Sequence, residues 1–486
     1  MKKIPVRLTT IVATLGPATA EEAMLERLIG VGMDVARLNF SHGDYSSHAE
    51  ALERLRRAAE RKGKFVAVLQ DLAGPKIRLR TPEARPVKVA AGGRVRLCRR
   101  LSACAGPAAV ATTYEGLVDD CRVGEPLLLA DGLLRMRIAE KHDEHLVLES
   151  EDEGDLSDEM GVNLPQTQVR LESMTQKDWR DLEWGLERGV DYVALSFVRT
   201  AAEVRAVREF VRKAGSEARV IAKIEKPQAV AAIDAILDEG DGLMVARGDL
   251  GVEMDVAEVP VIQKDLIRRA ARAGVPVITA TQMLQSMITE PRPTRAEVSD
   301  VANAVFDGSD ALMLSGETAV GRYPVRAVEM MARIIDLVED YAQSTHWPTL
   351  AVESRYRWSE RAVALGAAGI ARDLGVRLVI ALTHSGTTAL LLSKQWMGVP
   401  ILAISDRRET CCRMALYRGV TPVHHPGLIG TEELVGAVER MALERKLVAA
   451  GDRVLIISGR FPGRPGGTDT LSVHTVSGAL RERGAE

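Results

Sequence analysis

Along most of the chain, short apolar runs rich in β-branched residues alternate with amphipathic stretches of helical period. That alternation predicts βαβ units and a parallel sheet. The strand candidates are TTIVATLG from Thr9, VARLNF from Val35, FVAVLQDL from Phe65, YVALSF from Tyr192, RVIAKIE from Arg219, GLMVA from Gly242, VPVITAT from Val275 and ALMLSG from Ala311. Helical periodicity covers 21–29, 46–62, 201–213, 259–273 and 324–341, between or after these runs. Eight βα units in about 250 residues specify a (β/α)8 barrel, the TIM-barrel architecture.

The rhythm breaks after the third strand. Over 77–164 the helical period gives way to short alternating pieces, VKVAAGGRVRL, EPLLLADGLLRMRI and HLVLES, with Gly and Pro turns between them. They predict a small β-barrel inserted into a loop, placed to overhang the barrel mouth as a lid. Beyond His346-Trp347-Pro348 the α/β pattern restarts with VRLVIALT, VPILAIS, VTPVHH and DRVLIIS and ends in a strand near 471–476. The expected organisation is a catalytic A domain over 1–74 and 165–342, an inserted B domain over 75–164, and an open α/β C domain over 343–486. No short-period repeat or low-complexity segment interrupts it.

The composition is that of a globular protein, 46% hydrophobic and 27% charged, with a net charge of -3, so no global field recruits nucleic acid or an acidic membrane. Any phosphorylated ligand must be held by local charge. Five cysteines without a CxxC pair point to a reducing cytosol. The N-terminal MKKIPVRLTTIVATLGPATA superficially resembles a secretory signal, but Pro5 and Arg7 interrupt its apolar core. No segment approaches the ~18 apolar residues of a membrane span. The expectation is a cytoplasmic protein.

Each predicted strand ends in polar residues: Arg37, Asn39 and Ser41; Asp71; Ser196; Lys223 and Glu225; Arg247 and Asp249; Thr281; Ser315 and Glu317. One such residue is ordinary at a strand terminus. Their convergence on the rim where a (β/α)8 barrel does its chemistry is informative. Lys223 and Glu225 leave one face of their strand. They form either a structural ion pair or, with Asp249 on the next strand, a site in which two carboxylates share Mg²⁺ and the lysine answers to an anion between them. The glycine turn at Gly248-Asp249 offers backbone N–H groups to that anion, and Thr281 offers a hydroxyl. Asn39, Ser41 and Asp71 make an oxygen pocket suited to a monovalent cation. His42 has no partner at zinc-ligand spacing.

The stretches ARLNFSHGDYSSH, GPKIR, GVNLP, AKIEKPQAV, ARGDLGVE, ATQMLQSM, PRPTRAEVSDVANAVFDGSDALMLSGETA and YPVRAV resemble the pyruvate kinase family, in order and over essentially the whole chain. The resemblance implies transfer of a phosphoryl group from phosphoenolpyruvate to ADP, giving ATP and pyruvate, in a homotetramer. It implies Mg²⁺ (or Mn²⁺) on Glu225 and Asp249, with Lys223 at the phosphoryl group in flight. Arg37 falls on the substrate phosphate, and Gly248, Asp249 and Thr281 on its carboxylate. Asn39, His42 and Arg78 fall at the nucleotide, and Thr281 and Ser315 on a proton route to the enolate. Thr383, Ser385, Gly386, Thr387 and Thr388, with Arg460 and Arg464, resemble an effector-phosphate site for a sugar phosphate or AMP; as a bare Ser/Thr/Gly turn the same stretch is an ordinary helix cap.

Two departures matter. Many K⁺-requiring members read Asp-Thr-Lys-Gly-Pro-Glu-Ile-Arg where this chain has Asp71-Leu72-Ala73-Gly74-Pro75-Lys76-Ile77-Arg78. The expectation is that the Lys76 ammonium supplies the positive charge in place of K⁺, so that K⁺ is not required, with the pocket of Asn39, Ser41, Asp71 and Leu72 either inherited geometry or paired to Lys76 itself; the alternative is a solvated surface lysine with K⁺ still bound. Met160 stands where many relatives carry a nucleotide-contacting lysine. Two rival readings are a Mg²⁺-dependent lyase or aldolase, which leaves the insertion and the Arg37, Lys76 and Arg78 cluster unexplained, and a non-catalytic effector-binding regulator, which leaves the intact Lys223, Glu225, Asp249 and Thr281 unexplained.

Overall fold

The computed structural model describes residues 6–103, 108–130, 132–344, 358–427, 432–459 and 467–477. Eight parallel strands close the barrel: β1 (Thr10–Thr14), β2 (Val35–Asn39), β3 (Ala67–Asp71), β4 (Tyr192–Leu195), β5 (Arg219–Ile224), β6 (Gly242–Ala246), β7 (Val277–Ala280) and β8 (Ala311–Leu314). Each coincides with a predicted run, because a barrel strand is buried on both faces and reads as an unbroken apolar stretch. The helices Ala201–Lys213 and Val259–Ala273 coincide with their periodic segments to the residue. Leu25, Leu52, Val204, Leu266 and Val301 pack their apolar stripes onto the outside of the barrel.

The amino ends of the strands carry a repeated device. Asp34, Asp191, Asp241 and Asp310 each immediately precede an even-numbered strand. Their side chains accept from the backbone N–H of Ile11, Val68, Val220 and Val277 at 2.9, 2.8, 3.1 and 2.8 Å. Each aspartate's own N–H donates to the carbonyl of that same residue, at 2.8–3.0 Å. Every odd-numbered strand is thereby clamped twice by the start of the next, which fixes the stagger that barrel closure needs.

The inserted module contains a seven-stranded sheet from Leu79 to Asn163 and a separate two-stranded ribbon. The outer strands of the sheet meet: the Leu79 N–H donates to Met160 O (2.8 Å), the Val162 N–H donates to Ile77 O (2.9 Å), and Arg78 bridges Gly161. The sheet therefore curls on itself as expected, and the chain enters and leaves the lid through one narrow neck. Gly74 opens that neck at φ 68°, and a Cβ there would lie 2.7 Å from the Phe197 ring. Only glycine fits that turn.

The C-terminal sheet has five strands: β9 (Leu378–Leu382), β10 (Ile401–Ser405), β11 (Val420–His424), β12 (Arg453–Gly459) and β13 (Thr468–Thr475). The first four are parallel, and β13 pairs antiparallel with β12. This domain docks on the amino ends of the barrel strands. Tyr192 Oη donates to Arg413 O at 2.6 Å, Gly419 N–H donates to Leu8 O at 2.7 Å, and fully buried Lys394 pairs with Asp310. Cys98 is disulfide-bonded, whereas Cys121, Cys411 and Cys412 are free, so the cysteines are not all bridged. Among the described residues no helix is long and apolar enough to cross a membrane.

Candidate active site

Lys223, near the carboxyl end of β5, is the hub of the barrel mouth. Its ammonium donates to Ser196 Oγ at 2.6 Å and lies 3.0 Å from Glu225 and 3.2 Å from Asp71. Burial alone would push a lysine pKa down, but the charges of Asp71, Glu225 and Asp249 override it and push the pKa up, so the ammonium stays charged. Asp71 also accepts from Arg37 Nε at 2.7 Å. Its burial favours the neutral acid, yet Lys223 and Arg37 win and hold the carboxyl below its usual range. Arg37 Nη1 donates to Thr14 Oγ1 at 3.0 Å.

Glu225 is shifted the other way. Burial, reinforced by the Asp249 charge, outweighs Lys223 and the Phe197 N–H, which donates to it at 2.6 Å, so its pKa is raised. Glu225 and Asp249 are thus a pair with more negative charge than the protein balances. Two hard carboxylates in that condition fit a divalent cation. Among the described residues no third His, Cys or acid joins them into a larger metal-binding group, which suits Mg²⁺ completing its shell with water and substrate oxygens.

Thr281 terminates β7 at φ 70°, a left-handed conformation that is strained for a β-branched residue and characteristic of functional sites. Its Oγ1 accepts from the Gly248 N–H at 2.7 Å and donates to Ala280 O at 2.6 Å. The Gly248 N–H, expected to face an anion, is instead spent on Thr281, so the hydroxyl positions the turn carrying Asp249. Arg247 holds this arrangement from behind, donating to Thr281 O at 2.8 Å while paired with Asp300 at 2.7 Å. Ser315 is held through its N–H, which donates to buried Glu317 at 2.8 Å.

Under the lid lies a cleft of about 270 Å³ whose wall includes Lys76, Arg78, Arg199 and Lys226 against a single carboxylate, Asp249. Arg199 and Lys226 are paired with Glu203 and Glu253, and Arg78 with Glu159. Of the two arrangements open for Lys76, the structure does not show it paired to the pocket of Asn39, Ser41, Asp71 and Leu72. Asp71 is engaged by Arg37 and Lys223, Leu72 O accepts from Ser196 Oγ (2.7 Å), and the Asn39 side chain accepts from the Ser41 N–H (3.2 Å). Lys76 is exposed on the cleft wall and forms no ion pair among the described residues. The sequence leaves both arrangements open because it does not show which way a side chain leaves the Gly74-Pro75 turn.

Arg78 reaches back to Glu159, donating to its carbonyl at 2.9 Å, and Met160 packs against the apolar core of the lid. His42 is exposed at the rim. Thr14 and the link from Asn163 and Lys226 to buried Glu253, at 3.0 and 2.5 Å, went unrecognised in the sequence. Thr14 is opposite Arg37 in the β1–β2 register, and that register was its only signal. In the C-terminal domain, Thr383 Oγ1 accepts from the Gly386 N–H at 2.9 Å, Ser385 and Thr387 join hydroxyls at 3.0 Å, and Thr388 meets Thr468 at 2.7 Å. Arg460 and Arg464 lie outside the described residues.

A lidded (β/α)8 barrel that gathers a permanently charged lysine, an arginine and two under-balanced carboxylates at one mouth defines the class of phosphotransferases. Residues 6–328 match the family described as "Pyruvate kinase, barrel domain", and residues 361–474 match "Pyruvate kinase, alpha/beta domain". The chain is 43% identical over 471 residues to a pyruvate kinase of Mycobacterium tuberculosis, covering 96% of this chain and 98% of that one. It is 40% identical over 483 residues to one of Dictyostelium discoideum, covering 98% and 95%. A crystal structure of a pyruvate kinase from Cryptosporidium parvum superposes with a TM-score of 0.89 at 33% identity, covering 97% of this chain and 96% of the other. The chain belongs to the pyruvate kinase family.

Proposed function

We propose that this chain transfers the phosphoryl group of phosphoenolpyruvate to ADP, using Mg²⁺ (or Mn²⁺) and needing no K⁺. The observation that carries the reading is Lys223, charged and locked among Ser196, Asp71 and Glu225 at the carboxyl ends of the barrel strands. Arg37 Nε and Nη1 are held by Asp71 and Thr14, which aims the rest of the guanidinium at the substrate phosphate. The Gly248–Asp249 turn and Thr281 receive the substrate carboxylate once the Gly248 N–H and the Thr281 hydroxyl exchange their present partners for it. Asn39, His42 and Arg78 contact the nucleotide, Arg78 after leaving Glu159.

In the reaction the bridging P–O bond of the enol phosphate breaks, its electron pair stays on the enolate, and a β-phosphate oxygen of ADP forms the new P–O bond. Lys223 stays protonated throughout and neutralises charge on the phosphoryl oxygens. Thr281 and Ser315 relay a proton through water to the enolate carbon, and pyruvate forms. Glu225 and Asp249 would hold the divalent ion, which when bound supplies charge and orientation to the phosphoryl group.

Independence from K⁺ rests on two observations. Asp71, the one anionic member of the cation pocket, is already paired with two cations, and Lys76, which forms no ion pair among the described residues, lines the cleft that Asp249 also lines. The effector is a sugar phosphate or AMP on the turn formed by Thr383, Ser385, Gly386, Thr387 and Thr388, and the working form is a cytoplasmic homotetramer.

The test is pyruvate formation with Mg²⁺ in tetramethylammonium buffer, with and without K⁺. Full activity without K⁺, lost in Lys76→Glu and restored there by K⁺, is expected. Activity only with K⁺ would overturn the role of Lys76, and no turnover in either buffer, with or without effectors, would overturn the kinase reading.

A further inference from the structure

Glu225 has one lysine two residues before it and another immediately after it. Lys223 lies 3.0 Å from its carboxylate, whereas Lys226, which lines the same cleft as Asp249, turns away to Glu253 at 2.5 Å. The Glu253 side chain is 1% exposed. Its Oε1 also accepts from Asn163 Nδ2 at 3.0 Å, while its buried Oε2 accepts no hydrogen bond among the described residues. Stability alone gives no reason for a half-satisfied acid at this place.

Glu253 ends the seven-residue helix Arg247–Glu253 and stands one turn from Asp249, on the same face. A helix that short does not hold itself. Its first turn is pinned by the Gly248 N–H, which donates to Thr281 Oγ1 at 2.7 Å, and its last by Glu253 on Lys226, the residue next to Glu225. The same cluster supports Glu225. Phe197, at φ 55°, donates its N–H to Glu225 at 2.6 Å, and the Lys226 ammonium lies 5.9 Å from the centre of the Phe197 ring. Both strands of the lid's neck reach this cluster, the first where Gly74 lies against the Phe197 ring and the second where Asn163 meets Glu253.

We propose that Glu253 is a positioning residue for the divalent-cation pair, that it keeps the Lys226 ammonium off Glu225 and Asp249, and that the lid steadies it through Asn163. The lid then contributes to the cation site without supplying a ligand. The inference rests on the reading of Glu225 and Asp249 as the holders of the cation and goes beyond it in naming what keeps them available. Released from Glu253, Lys226 meets Asp249 in the same cleft and supplies the charge that the cation would otherwise bring.

Binding of Mn²⁺ alone to the full chain tests this, with free Mn²⁺ read by electron paramagnetic resonance and all substrates omitted. Glu253→Gln should weaken Mn²⁺ binding about tenfold or more, the scale of turning one ammonium against the pair. Lys226→Met added to that variant should recover most of the loss, because the competitor is gone. Asn163→Ala leaves both charges in place and should weaken Mn²⁺ about threefold, the scale of one hydrogen bond. A merely structural role would lower melting temperatures and leave the Mn²⁺ affinity of the folded chain unchanged. If Glu253→Gln does not fold, Asn163→Ala alone carries the test. The proposal is overturned if Asn163→Ala binds Mn²⁺ as tightly as the parent, or if Lys226→Met brings no recovery. Asp249→Asn separates this from failure of the site itself. If that variant binds Mn²⁺ normally, Glu225 and Asp249 do not hold the cation and the proposal falls with that reading; if it loses binding while the Glu253 and Asn163 variants keep theirs, the proposal alone is overturned.

Discussion

At the carboxyl ends of the strands, Asp71 and Glu225 share the cation Lys223, and Glu225 is left beside Asp249 with its carboxyl pushed up. At the amino ends, Asp34 is answered by Arg7 and Lys64, Asp310 by Lys394, and Asp241 by Arg219 at 3.6 Å, each aspartate also clamping a backbone N–H. Both rims bury acids, but only the catalytic one leaves charge for a ligand to complete. Backbone strain divides the same way: Phe197 at φ 55° and Thr281 at φ 70° follow β4 and β7 at the catalytic rim. The lesson is that the barrel separates stability from chemistry by which end of a strand a residue occupies.

The largest effect that would break this comparison is at Lys223. Lys223→Met should lower kcat about a thousandfold, the scale of losing one preorganised charge at a transition state. Steady-state assays check it, and a loss of less than tenfold would remove Lys223 from the centre of the site. The opposite rim should respond in stability instead. Asp310→Ala strands the fully buried Lys394 ammonium, at a cost of about 3 kcal/mol to unfolding, while kcat per folded molecule stays near that of the parent. Lys394→Met in the same chain should recover much of the loss, because it removes the uncompensated charge. Denaturant titration of the two single variants and the double variant measures the coupling, and simple additivity would show that the pair is not a unit.

The strands were legible in the sequence because each buried run ends abruptly in a polar residue. The helix Ala201–Lys213 was legible because its apolar period is regular. The clamps were not recognised, although GMDVARLNF, GVDYVALSF, EGDGLMVAR and GSDALMLSG carry the aspartate at one position before every second barrel strand. An aspartate one or two residues after a glycine reads locally as a turn residue. Its partner lies on the preceding strand, and only barrel register brings the two together. Ser196 was visible as a strand end, but its bond to Lys223 crosses from β4 to β5 and depends on the same register. At the catalytic rim, residue types announced chemistry even where a direction, as at Lys76, stayed open.

The smallest effect sharpens the comparison at its one exception. Asp191 clamps Val68 as its three counterparts clamp their strands, but no ion pair reaches it among the described residues, and it borders a cleft of about 460 Å³. Burial pushes its carboxyl up to about 7, against the pull of the Val68 N–H and the more distant Arg413 and Arg56. The folded state therefore holds this proton over a range, from the ordinary aspartate value near 4 up to about 7, where the unfolded chain has released it. Stability from this group is fully present below that range and falls as pH rises through it, by at most ~1.4 kcal/mol per pH unit and by less where cleft water solvates the carboxylate. Asp191→Asn keeps an acceptor for the Val68 N–H and carries no titrating proton. The variant should gain on the parent in melting temperature between pH 5 and pH 7, then run parallel to it above the folded pKa of about 7. Curves parallel throughout would mean that the arginines nearby already do for Asp191 what Lys394 does for Asp310, and the amino-terminal rim would then have no exception.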